Sequence, residues 1–169
     1  MSLVKTSAKA GQLVNTQHVD MLLSNYKKER WVHNTKRMGK LDSLSVWYGM
    51  DELQEFLQAA EQHGADGIRM YFGVYPEQFN KMPQAGGRQT IVLVATKNKP
   101  GADGNMISKH IYRQTEDGMQ LLAFNVGIPC PPCCGNTTGD PDGSGLPYPI
   151  ENGVGLTLVD DEENGMLVM

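Results

Sequence analysis

Apolar residues recur at helical spacing in two stretches of the chain and at strand spacing in several others, and their order predicts the architecture. Val19, Leu22, Leu23 and Tyr26 form one apolar stripe behind Asn15 and Thr16, either of which can cap free amides, so a helix is expected from there to about Trp31. Lys27, Lys28 and Arg30 would lie in its last turn, where cations complement the helix dipole. A short extended segment, 46–48, leads into a second helix over about 51–63. There Leu53, Phe56, Leu57 and Ala60 share a face, Asp51 and Glu52 occupy the positive end, and Gly64 supplies a left-handed stop.

From residue 67 to 75 the period becomes two. Ile68, Met70, Phe72 and Val74 fall on one side of a strand and Arg69, Tyr71, Gly73 and Tyr75 on the other. Residues 90–96 are apolar on both sides and rich in β-branched types, as suits a central strand. Two weaker strands, about 107–113 and 121–126, flank a turn containing Glu116, Asp117 and Gly118. Beyond Gly127 the texture turns to Pro, Gly, Asp and Asn, so 127–155 is expected to be irregular, with a short strand at 155–159.

These elements define an α+β domain, with two helices packed on one face of a mainly antiparallel four- or five-stranded sheet and a long Pro/Gly-rich C-terminal loop segment wrapping the body. Residues 1–14 read as an N-terminal extension and 15–169 as a single domain. The second helix is expected to bury Leu53, Phe56, Leu57 and Ala60 against Ile91 and Leu93 or Val92 and Val94.

With 169 residues, 40% of them hydrophobic, the chain can bury one core. Its longest apolar run, 91–95, is far too short to cross a bilayer, and the N-terminus lacks a basic-then-apolar secretory pattern, so no membrane partner and a cytoplasmic location are expected. Three cysteines crowded at Cys130, Cys133 and Cys134 cannot link distant parts of a fold, which favours a reducing compartment. A net charge of -4 argues against nucleic acid as a partner. Lys27 to Lys40, interrupted by Trp31 and His33, could contact phosphates, but cations in water around a buried Trp31 are the more ordinary reading.

The chain has no Walker A loop, dinucleotide fingerprint, His-Glu-x-x-His pair or nucleophile elbow. Cys130-Pro131-Pro132-Cys133-Cys134 holds thiols at Cys-x-x-Cys spacing, which suits two zinc thiolates at Cys130 and Cys133 if two more ligands come from elsewhere, such as His110 or another subunit. A redox thiol would need a helix start that Gly135 and Asn136 do not signal. Asp140, Asp142, Ser144, Gly145 and Glu151 occupy spacing that resembles a calcium-binding EF-hand loop, although Pro147 and Pro149 oppose its bridge and exit helix. A third candidate is the polar side of strand 67–75. Arg69, Tyr71 and Tyr75, joined by Arg88 and His110 on nearby strands, could hold an anionic or aromatic ligand.

The reading that follows is a non-catalytic binding or assembly module, acting on another copy of itself as a homo-oligomer or on a small anionic ligand, with no required cofactor. The alternative is an enzyme or zinc protein built on the 130–134 loop, with Cys130 or Cys133 as nucleophile or ligand and His110 as base. His18, His33 and His63 sit on or beside the helices and suit that role less well.

Overall fold

The computed structural model describes residues 10–133 and the backbone of two further strands, Leu158–Asp161 and Gly165–Val168. It is an α+β fold whose main sheet has four strands. Helix α1 (Thr16–Tyr26) opens with Asn15 accepting from the His18 amide at 2.9 Å, as expected of an N-cap. It does not stop at Trp31. A π-helical turn, Lys27–Trp31, leads directly into α2 (Val32–Met38), because no residue there breaks the helix until Gly39, at φ 67°, supplies the left-handed end. The terminal cations are therefore Lys36 and Arg37.

Strand β1 (Ser45–Trp47) precedes α3 (Met50–Gln62), where the Glu52 carboxylate accepts the Gly49 amide at 2.8 Å. Gly64, at φ 79°, ends that helix as expected. Strands β2 (Gly67–Val74) and β3 (Gln89–Pro100) pair antiparallel along their length, from Gly67 opposite Thr96 to Val74 opposite Gln89. Strand β4 (Met106–His110) pairs with the far half of β3. The two weaker strands are each broken. Tyr112–Thr115 (β5) and Gly118–Leu121 (β6) form a separate hairpin, and Ala123–Phe124 (β7) returns to β3. The breaks fall where Ile111 donates to the Ala95 carbonyl, Ala95 to Leu122 and Leu122 to Ile111, all at 2.9 Å.

The segment after Gly127 is not wholly irregular. Ile128–Cys130 (β8) pairs antiparallel with β1, Cys130 opposite Ser45. Leu158–Asp161 (β9) and Gly165–Val168 (β10) pair with each other, so the expected strand at 155–159 begins, among the described residues, at Leu158.

The core gathers Phe56, Ala60, Ala65, Leu93, Ala95 and Leu122, with Leu53, Ile68, Ile91 and Phe124 packed against it. Helix α3 thus covers the Ile91–Leu93–Ala95 side of β3, the first of the two expected alternatives. The expectation for Leu57 is corrected, since it remains 45% exposed. Phe56 stacks on Phe124 of β7 at 5.3 Å, which centres α3 on that side of the sheet. Leu57, about 100° further round the helix, is left at the rim. Helix α1 contributes no buried residue.

Candidate functional site

Among the described residues, strand β2 has a neighbour on one side only. The main sheet runs β2-β3-β4, with β7 also on β3, so β2 is an edge eight residues long. The Tyr75 amide donates to the Arg88 carbonyl at 3.0 Å, just beyond the Val74–Gln89 pair. Antiparallel bonding alternates by residue, so Gly67, Arg69, Tyr71 and Gly73 also bond to β3. Ile68, Met70, Phe72 and Val74 then direct their N–H and C=O groups to the open edge. Their side chains lie on the face that carries Ile91 and Leu93, because Met70 opposes Leu93 and Phe72 opposes Ile91. Only Ile68 reaches the core. Met70 is 65%, Phe72 82% and Val74 65% exposed.

Edge strands are usually guarded by lysine, proline or a bulge. Lys99, Pro100 and Lys109 stand where β3 and β4 pair, whereas Arg69 is the one charge on β2. Its open edge is long, regular and apolar.

On the opposite face, Arg69 and Tyr71 lie over Val94 and Val92. Tyr71 Oη is 2.6 Å from His110 Nε2, with their rings edge-on at 5.8 Å, so a side-chain bridge spans the central strand. Which group donates depends on the imidazole tautomer. Arg69 is exposed on the same face. Arg69, Tyr71 and His110 are thus brought to one surface.

Tyr75 and Arg88 are not part of it. Both are buried at the end of β2, where Tyr75 stacks on Phe79 at 4.2 Å and Arg88 Nε donates to the Gln84 carbonyl at 2.9 Å. Tyr75 Oη and Arg88 Nη1 are buried without a hydrogen-bond partner among the described residues. Burial lowers the Arg88 pKa from its ordinary value, and nearby Asp42 opposes that shift. Asp42 is itself buried and anchors this corner. Its Oδ1 accepts the Ser43 and Gln89 amides at 2.8 and 2.7 Å, its Oδ2 accepts Asn34 Nδ2 at 2.9 Å, and its carbonyl accepts Trp31 Nε1 at 2.7 Å. Trp31 is therefore core and not placed to stack on a base. Sequence reasoning missed Asp42, whose role depends on groups brought together only by the fold.

Cys130 is disulfide-bonded and Cys133 is a free thiol, 3.7 Å from Gln84 Nε2. A disulfide sulfur is no thiolate, so zinc on both Cys130 and Cys133 would first need reduction. Among the described residues, no group of three or more His, Cys, Asp or Glu side chains could hold a metal ion, and no helix is long and apolar enough to cross a membrane. Cys134 and the acidic loop with Asp140, Asp142, Ser144, Gly145 and Glu151 lie outside the described residues.

No family model, curated protein or solved structure matches the chain.

Proposed function

We propose that this protein is an association module that binds an extended segment by strand addition at the open edge of β2. The observation that carries the reading is the coincidence, on the same residues, of outward backbone groups and exposed apolar side chains at Met70, Phe72 and Val74. An added strand would satisfy the backbone groups in register while its alternate side chains extend the apolar face, which is the physical basis of β-augmentation. Arg69 and Tyr71 would border the incoming strand on the other face.

Hydrogen exchange tests this with an end-blocked peptide of alternating Val and Thr. The peptide should slow exchange at the Met70 and Phe72 amides, leave Arg69 and Tyr71 at their existing protection, and lose its effect in Phe72→Lys. Unchanged exchange at saturating peptide would contradict strand addition.

A second reading, a small anionic ligand on the Arg69–Tyr71–His110 face, is supported by the 2.6 Å Tyr71–His110 contact beside an exposed arginine. Under that reading, a dicarboxylate or sugar phosphate raises the melting temperature of wild type and not of Arg69→Ala.

A further inference from the structure

We infer that the strand added to β2 is β2 of a second copy of this chain, joined antiparallel about a two-fold axis through Tyr71. The inference rests on the strand-addition reading and names its partner. A two-fold axis perpendicular to a sheet keeps each face on its own side, so paired residues must have the same parity along the strand. Outward groups occur at Ile68, Met70, Phe72 and Val74, and those must form the hydrogen-bonded pairs.

Within Gly67–Val74, the register centred on Tyr71 uses all four. Met70 opposes Phe72 of the other copy and Ile68 opposes Val74, each pair exchanging two backbone bonds. Shifting the centre to Met70 or Phe72 leaves an outward residue opposite a position beyond the strand. The same register suits the side chains. The two apolar faces meet as Met70 with Phe72 and Ile68 with Val74, and Arg69 falls opposite Gly73, so the strand's one charge does not face its own copy. Backbone pairing therefore selects this register, and apolar matching and charge placement are compatible with it. The product is a sheet continuous across both copies that removes the open edge.

Cysteine cross-linking in a Cys133→Ser background tests both partner and register. Tyr71 sits opposite its counterpart in a non-hydrogen-bonded pair, where Cα atoms are about 4.5 Å apart, within disulfide reach. Tyr71→Cys should oxidise to a covalent dimer in high yield. Arg69→Cys and Gly73→Cys should each cross-link poorly alone and well when mixed. Sedimentation of wild type should show a reversible dimer whose dissociation constant rises at least tenfold in Phe72→Lys. A chain that stays monomeric at hundreds of micromolar but takes up the Val-Thr peptide would overturn self-pairing and leave strand addition standing. A monomer that also ignores the peptide would remove both. A dimer that cross-links equally through single cysteines at Arg69 and Gly73, or that persists unchanged in Phe72→Lys, would overturn the register.

Discussion

Asp42 shows how much of this fold hangs on single side chains. One carboxylate receives two backbone amides and the Asn34 side chain, tying the helical segment to the start of β3. Asp42→Ala would leave those donors unpaired and buried Arg88 without its nearby charge, at an expected cost of about 3 kcal/mol measured by urea unfolding. Val126 carries strain of the opposite kind. It is the one described non-glycine residue at positive φ, 75°, which disfavours a β-branched side chain. Gly127 follows it because a Cβ there would come within 2.5 Å of the Tyr48 ring. Val126→Asn should therefore raise stability by about 1 kcal/mol, whereas Gly127→Ala should lower it. Helix α3 gives a paired contrast by the same measurement: Phe56→Ala should cost about 4 kcal/mol and half-exposed Leu57→Ala less than about 1 kcal/mol.

Elements whose signals are local were legible in the chain. Asn15, Gly64 and the Glu116–Gly118 turn act through neighbouring backbone, and the structure places each as expected. Period two on β2 was equally clear, but periodicity says which side chains share a face and not what covers it. Met70, Phe72 and Val74 share the apolar side of Ile68 yet are exposed, because α3 is centred over β3 and β7. The strand breaks at Ile111 and Leu122 were hidden for a related reason, since they follow from bonds to Ala95 far away in sequence. Tyr71 and His110 are in contact and Arg69 is exposed on the same face, but Tyr75 and Arg88 are drawn aside where the chain leaves β2 for the 76–88 loop.

Packing between β1, α3 and β3 also predicts a pH response. Tyr48 donates to the Ile91 carbonyl at 2.8 Å, and burial raises its pKa above the ordinary 10.0. The folded state then holds this proton more tightly than the unfolded chain. Its contribution is fully present below about pH 10 and is lost as pH rises through the raised value. Tyr26 shifts the same way, through burial first and Asp42 second. In alkaline unfolding series, Tyr48→Phe should start less stable, having lost the bond to Ile91, and fall less steeply above pH 10. A wild-type limb that is flat above pH 10 would contradict this assignment.

Among the described residues, α3 covers part of one sheet face and the rest of that face runs out to the open edge of β2. A single strand pair buries less than the roughly 1,600 Å² of a standard stable interface, so association through β2 alone should be reversible and in the micromolar range. The most direct measurement is hydrogen exchange at individual β2 amides as protein concentration is raised. The Ile68, Met70, Phe72 and Val74 amides should become protected together while those of Arg69, Tyr71 and Gly73 keep the protection that β3 already gives them. Phe72→Lys should return the first set to its dilute rate. If those four amides exchange at the dilute rate at every concentration, and the Val-Thr peptide does not slow them either, β2 is ordinary surface and the account fails.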